Sequence, residues 1–217
     1  MVATDWKSVP ARLARIRESG RAERAFGSRS HEFRLRPRLS SDELAEAEAQ
    51  FGIAFPEEYR DFLQQVGAGG AGPFHGIFPL IRSAGRWRWE GDGAELTDVT
   101  RLKDPFAEDS FPREVLEIMR AERPPREDTA RFDAWLDRWE TALWSRDRTI
   151  GAVCLCHEGC ALRRWLIVNG PHRGEIWIDH RADDVDLTPM ADQGPVGFGQ
   201  WYQSWLDEVS ALVLSTT

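Results

Sequence analysis

The segment Leu39–Gly70, LSSDELAEAEAQFGIAFPEEYRDFLQQVGAGG, decides the fold more than any other part of the chain. Ser40 followed by Glu43 forms a capping box, in which each side chain accepts a hydrogen bond from the other residue's backbone N–H. Pro56 suits the first position of a second helix, because its missing N–H would be unpaired there in any residue. The segment predicts two short helices, the second of which ends at Gly67 as a left-handed C-cap.

Apolar residues in this segment recur at helical spacing and predict one buried face on each helix. They are Leu44, Ala47 and Phe51 in the first helix, and Tyr59, Phe62, Leu63 and Val66 in the second. The segment contains no histidine, cysteine or phosphate-binding loop. It therefore predicts scaffold and argues against a catalytic role for this part of the chain.

Several stretches together resemble a known family. The pattern E-x-x-F-G-I-A-F-P-E-E-Y-R-D-F-L, followed by a glycine-rich turn and GPFHGIFPL, is similar to the Smi/Knr-type domain of the SUKH superfamily. Further matches are IGAVCLCHEG, RRWLIVNGPHRGEIWID and FGQWYQSWLDEV near the C-terminus. The resemblance covers roughly Leu39–Leu80 and Thr149–Val213. It implies a SUKH-like α+β domain with an insertion, and the hairpin-spaced strands favour a mostly antiparallel sheet flanked by helices.

The resemblance also implies a function. Many bacterial members of the superfamily resemble immunity proteins, which neutralise a cognate secreted toxin, frequently a nuclease, by occluding its active site. Fungal members resemble regulatory scaffolds, so an adaptor of the Smi/Knr type is the alternative. Both roles are non-enzymatic, and neither implies a cofactor.

The charge of the chain is negative and unevenly distributed. The formal net charge is −8, yet the first 38 residues hold ten basic against four acidic residues. The remainder holds 18 basic against 32 acidic residues. Phosphate binding needs clustered cations, so the acidic body argues against a nucleic-acid ligand and favours a basic protein partner. Solubility alone is the other interpretation of this charge.

The sequence shows no targeting signal that would direct the chain out of the cytoplasm. The first 20 residues have no apolar core of a signal peptide, and no run approaches the ~20 apolar residues of a membrane span. The three cysteines lie within seven positions and do not form the framework of a secreted protein. We expect a cytoplasmic protein without membrane contact, and the oligomeric state remains open.

The chain divides into a first part, 1–38, with an N-terminal helix and a basic linker, and a SUKH-like domain, 39–217, with an inserted segment at about 86–148. A face of Trp6, Val9, Leu13 and Ile16 predicts that the first helix packs on the domain. Two further helices are expected in the insertion, around Val115–Met119 and Phe132–Leu143. Strands are expected at Ile77–Arg82, Arg86–Trp89, Ile150–Cys156, Trp165–Val168 and Glu175–Asp179, with a hairpin turn at Asn169-Gly170. The last helix is expected to bury Phe198, Trp201, Trp205, Val209 and Leu212.

Aromatic and acidic residues are the candidates for partner binding. Tryptophan anchors interfaces, but core packing is an equal explanation for Trp87, Trp89, Trp135 and Trp139. Carboxylates in two loops are candidates for meeting a basic partner, although they also fit solvated loops: Glu90, Asp92, Glu95, Asp179, Asp183, Asp184 and Asp186. The spacing of the last four does not match an EF-hand calcium loop.

The sequence Cys154-x-Cys156-His157-x-x-Cys160 is the remaining cluster of chemical interest. Four soft donors could hold zinc, but the C-x-x-C pair of structural zinc sites is missing, and buried thiols are favoured. A Cys156–His157 hydrolase, helped by His172 or His180, is a distant third function, because neighbouring strand residues face opposite ways. His31 and His75 are interpreted as ordinary surface or turn residues.

Overall fold

The computed structural model describes residues 4–106, 113–191 and 193–215. The helices are α1 (Val9–Glu18), α2 (Ser28–His31), α3 (Ser41–Phe51), α4 (Glu57–Gln65), α5 (Arg113–Ala121), α6 (Thr129–Leu143) and α7 (Phe198–Leu214). The strands are β1 (Leu80–Ser83), β2 (Arg86–Trp89), β3 (Ala152–Gly159), β4 (Leu162–Ile167), β5 (Ile176–Asp179) and β6 (Thr188–Pro189).

The strands form two antiparallel sheets, which confirms the predicted α+β class. The larger sheet has the order β3-β4-β5-β6, and the smaller one is the β1-β2 hairpin. Along the outer edge of β3, the Phe78 N–H donates to the Leu155 carbonyl at 2.7 Å and the His75 N–H to the His157 carbonyl at 3.3 Å. The segment 75–78 thus covers an edge of the main sheet.

The helix pair α3–α4 forms as its local signals predict, with two corrections. Ser40 and Glu43 make both hydrogen bonds of the capping box. Pro56 is the N-cap, so α4 begins one residue later than predicted. Gly67 is not a left-handed cap, because its φ is not positive and the C-cap of α4 is Val66, with a φ of −107°. Glycine is needed there for close packing, since a Cβ would lie 2.6 Å from the Arg36 carbonyl oxygen.

The core joins the two ends of the chain to α4. The predicted face of α1 is buried, and the ring of Trp6 meets Phe62 of α4 edge-on at 5.7 Å. Phe198 of α7 packs against the same Phe62 at 5.3 Å. At the surface Arg12 pairs with Asp207 at 2.6 Å. The prediction that the N-terminal helix packs on the domain is confirmed, whereas the division at residue 38 stays a prediction.

Helix α7 buries part of the predicted stripe together with a neighbouring one. Phe198, Trp201 and Val209 are buried as expected, and the core also includes Tyr202, Leu206 and Val213. Trp205 is only partly buried against the core. Leu212 is 48% exposed, so its predicted burial is wrong. The reason is that α7 is apolar on two neighbouring stripes, and only the contacts with α1 and α4 select the one that enters the core.

The loop between β4 and β5 corrects the hairpin prediction at Asn169-Gly170. The strands end at Ile167 and resume at Ile176, so the turn is longer than two residues. Asn169 Nδ2 donates to the Lys103 carbonyl, and a Cβ on Gly170 would lie 2.9 Å from the Phe106 carbonyl oxygen. The pair packs on the neighbouring segment and does not close a tight turn.

The first strand is also shorter than predicted. It begins at Leu80, because Ile77 forms an isolated bridge with Gly70. Arg86–Trp89 forms β2 as predicted and pairs with β1.

The predicted helices of the insertion are confirmed as α5 and α6, which share a small core of their own. Its buried members are Leu116, Trp135, Trp139, Ala142 and Leu143. This unit is joined to the body through the loop after β5. There Asp186 pairs with Arg148 at 2.5 Å, and Arg120 donates to the Asp184 carbonyl oxygen at 2.6 Å.

Candidate functional site

A cleft of about 630 Å³ opens between the N-terminal segment, the edge of β3 and the turn after β2. Its walls come from residues 29–36, 75–79 and 90–92, and His157 of β3 also lines it. The segment 75–78 pairs with the edge of β3, and α2 contacts this segment through Ser30 Oγ, which lies 2.8 Å from His75 Nδ1. The cleft brings together histidines, arginines and carboxylates that are distant in sequence.

Two histidines stack at the centre of the cleft. The rings of His75 and His157 are 5.3 Å apart and nearly parallel. Ser30 Oγ lies 2.8 Å from His75 Nδ1, and His157 Nε2 lies 3.7 Å from an Asp92 carboxylate oxygen. The pKa of His157 is lowered by partial burial and by the neighbouring Arg163. His157 is therefore neutral at neutral pH and suited to polar contact rather than to strong charge attraction.

His31 is buried, which corrects its interpretation as a surface or turn residue. Its Nδ1 accepts a hydrogen bond from the Phe33 N–H at 3.0 Å. Burial, with a smaller contribution from His75, lowers the pKa of His31 to about 4. A neutral ring that accepts through Nδ1 carries its proton on Nε2, so His31 supports the cleft wall as an uncharged side chain.

Three of the predicted carboxylates are exposed in the segment 90–95, which we call the acidic turn. Glu90 and Asp92 line the cleft, and Glu95 follows in the short 3₁₀ helix Ala94–Leu96. The side chain of Asp92 is 76% exposed and lies 3.8 Å from Arg163 Nη2. Gly93 makes this geometry possible, because its φ is +96° and a Cβ would lie 2.0 Å from Arg163 Nε.

Most of the predicted aspartates at the end of β5 and in the loop after it make contacts that stabilise the fold. Asp179 is buried and pairs with Arg181 at 2.7 Å. Burial opposes its ionisation, but hydrogen bonds from Arg181 and Trp165 hold the pKa of Asp179 below its ordinary value. Asp186 pairs with the buried Arg148, and Asp184 accepts a hydrogen bond from Trp139. Asp183 is the exposed aspartate of this loop that makes no such tie to the insertion among the described residues.

The four predicted tryptophan anchors are all buried. Trp89 donates to the Tyr59 hydroxyl at 3.0 Å and stacks on Phe51 at 4.8 Å. Trp87 lies in the same main core, whereas Trp135 and Trp139 stack at 5.6 Å inside the insertion. All four rings thus pack in a core, and a role for them in partner binding stays a prediction.

The residues of the cysteine cluster lie in different surroundings. Cys154 and Cys156 are buried, and burial raises the pKa of both thiols. Cys160 is exposed at the turn after β3, and His157 faces the cleft. Within the described residues, no group of three or more His, Cys, Asp or Glu side chains is placed to hold a metal ion. A thiol nucleophile must ionise, so the buried pair is poorly suited to catalysis.

Comparison with known families finds a match. The model of the SMI1 / KNR4 family (SUKH-1) matches residues 38–184. The chain belongs to this family. Members of the SMI1 / KNR4 family are often immunity proteins, which supports a non-catalytic role. A search of curated proteins and a search of solved structures each found no match.

The family match includes the segment 86–148 that the sequence resemblance left out, and it ends before α7. None of the helices that the structure describes is long and apolar enough to cross a bilayer. Sequence reasoning found the acidic turn but missed the histidines of the cleft, since His31, His75 and His157 meet only through tertiary contacts.

Proposed function

We propose that this SMI1 / KNR4 family protein is a cytoplasmic immunity protein that binds a basic toxin and covers its active site. The observation that carries the proposal is the acidic turn at the mouth of the cleft. Glu90, Asp92 and Glu95 are exposed there within six residues. A toxin that acts on nucleic acid presents a cationic channel, and exposed carboxylates are its electrostatic complement.

The turn is held in place by buried groups. Trp89 immediately precedes Glu90 and is fixed by its hydrogen bond to Tyr59. On the other side, Gly93 packs directly against Arg163, which is nine-tenths buried. A preorganised acidic turn loses little conformational entropy when a partner binds, which favours affinity. The predicted anchor Trp89 thus has a positioning role in this proposal.

Exposed carboxylates at a rim mainly accelerate association. Opposite charges on the two proteins steer their encounter, and the effect weakens as salt screens them. Asp183 lies on a separate loop, is exposed and makes no hydrogen bond or ion pair to the insertion among the described residues. In this proposal it adds to the same negative field.

The test uses the protein encoded beside the gene for this chain. We expect the two proteins to co-purify, and we expect the chain to rescue cells that express the neighbouring product. The variant Glu90→Lys/Asp92→Lys/Glu95→Lys should slow association at least about tenfold. A matched control with the same change in charge is Glu117→Lys/Glu122→Lys/Glu127→Lys, at exposed positions in and after α5.

The control variant should slow association less than the turn variant. Equal effects would show that net charge alone matters and would remove the acidic turn from the interface. No complex at micromolar concentration, together with no rescue, would rule out immunity toward that product. Stable binding to a non-toxic regulatory protein would instead support the adaptor function.

A further inference from the structure

A second concave surface lies along α7 and shares no lining residue with the cleft. It is an apolar groove of about 350 Å³, and one wall is formed by Trp201, Trp205, Val209 and Leu212. These side chains recur every three or four residues and form the stripe that the sequence predicted to be core. From Trp201 to Leu212 the wall is about 17 Å long, or three helical turns.

The opposite wall is formed by a turn of the N-terminal segment. Phe26 is 68% exposed and lines the groove together with Phe74. Gly27 follows with φ +72°, and a Cβ there would lie 1.8 Å from the Phe74 carbonyl oxygen. The turn is therefore pressed against the body while it projects the Phe26 ring outward. A large aromatic ring held exposed beside an apolar groove is typical of a protein-binding surface.

The charge of the groove is negative. Glu208 is the charged side chain among the residues that line it, and it stands between Trp205 and Leu212 on α7. Asp207 is next to it but already pairs with Arg12 at 2.6 Å. The groove therefore combines apolar walls with one carboxylate that has no ion pair among the described residues.

We propose that this groove binds an amphipathic helix of a partner protein, with apolar residues facing Trp205 and Leu212 and a basic residue facing Glu208. The length of the wall fits about three turns of helix, and such helices bind grooves through residues spaced three and four apart. The negative charge of Glu208 complements a basic partner. The inference therefore adds a second contact surface to the proposed function, and it rests on that function for the identity of the partner.

A second copy of the chain is a poorer occupant. Symmetric packing of two α7 helices along their grooves would bring Glu208 of each copy toward the acidic residues of the other. Like charges at such a contact are unfavourable. Dimerisation through the groove is therefore an outcome that contradicts the proposal.

The probe is a synthetic helical peptide about four turns long, with leucine on one face and lysine on the other. A matched peptide carries glutamate in place of lysine. Binding to the full chain is measured by fluorescence anisotropy at about 0.15 M salt, which limits non-specific attraction. We expect the lysine peptide to bind and the glutamate peptide to bind at least about tenfold more weakly.

Variants locate the binding. Phe26→Ser and Leu212→Ser should each weaken the lysine peptide about tenfold, because they remove exposed contact area without opening the core. Ile118→Ser is the matched control, since Ile118 is 58% exposed on α5 and is not among the residues that line the groove. Glu208→Lys should reduce the preference for the lysine peptide.

Absence of peptide binding, equal weakening by Ile118→Ser, or a dimer that Leu212→Ser dissociates would each overturn the proposal. Its failure is distinguishable from failure of the immunity function. If rescue of cells depends on the acidic turn but the chain does not bind the peptide, only the groove proposal is ruled out. If the chain binds the peptide but does not bind the neighbouring product, only the hypothesis of that toxin as the partner is ruled out.

Discussion

Trp139 Nε1–H donates a hydrogen bond of 2.8 Å to the Asp184 carboxylate. The donor lies on α6 of the insertion, and the acceptor lies in the loop after β5. Asp184 adopts φ +59°, and its carbonyl oxygen accepts a second hydrogen bond from Arg120 of α5. One residue in a left-handed conformation therefore holds both inserted helices to the body.

Asp184→Ala should loosen the insertion. It removes the acceptor of Trp139 Nε1–H and adds left-handed strain, so we expect a loss of about 1–3 kcal/mol in the free energy of unfolding. Asp184→Asn is the matched control, because its amide oxygen can accept the same bond and asparagine tolerates this conformation. Urea unfolding and hydrogen exchange of α6 measure the effect. Equal stability of the two variants would contradict the assignment.

His31 should make stability fall in mild acid. Its pKa is about 4 in the folded chain against 6.5 when unfolded, so between these values the unfolded chain binds the extra proton. The stabilisation is complete above about pH 6.5 and is lost as pH falls toward 4, by about 3 kcal/mol in total.

His31→Asn tests this titration, since its amide oxygen can replace the Nδ1 acceptor. The difference in unfolding free energy between variant and wild type should be constant above pH 7 and change by about 3 kcal/mol on acidification to pH 4. Other titrating groups contribute equally to the unfolding free energies of variant and wild type, so their contributions cancel in the difference. Parallel curves throughout would show that His31 does not titrate as proposed.

The three thiols should differ in reactivity. Cys160 is exposed, whereas Cys154 and Cys156 are buried and have raised pKa values. With a disulfide reagent at about pH 8, we expect one thiol to react quickly in the native protein and the others only on unfolding. Cys160→Ser should remove the fast phase. Rapid reaction at Cys156 would revive the hydrolase hypothesis.

Gly93→Ala should cost more stability than Gly85→Ala. Both glycines have positive φ, but a Cβ on Gly85 meets no atom within 4 Å, whereas one on Gly93 meets Arg163 Nε at 2.0 Å. Strain alone costs about 1–2 kcal/mol, and the buried Arg163 must also move in the first variant. Urea unfolding compares them. Equal losses of stability in the two variants would mean that the Arg163 side chain moves aside at little cost and does not hold the acidic turn in place.

Much of the scaffold could be predicted because its signals are local. The capping box at Ser40 and the spacing of Tyr59 and Phe62 predict helices without reference to any distant residue. The stripe of α7 could not be predicted in the same way. Trp205 and Leu212 recur at the same spacing as Leu206 and Val213, so periodicity does not choose between them. The choice depends on contacts with α1 and α4.

The candidate site was predictable only in part. The exposed turn from Glu90 to Glu95 follows from its glycines and charges. The burial of His31 does not, because it depends on packing against Gly76, which is distant in sequence. The tryptophans show the same limit, since composition gives their number but not which of them are buried and which are exposed.

The position of Phe62 has a consequence for how this protein can be divided. Its ring is covered by Trp6, Phe198 and Tyr202, all of which lie outside the matched residues 38–184. A fragment cut at the limits of family similarity would leave an aromatic face in water and would tend to aggregate. The similar region is thus shorter than the cooperative folding unit, and any exchange of it between proteins has to carry both terminal helices.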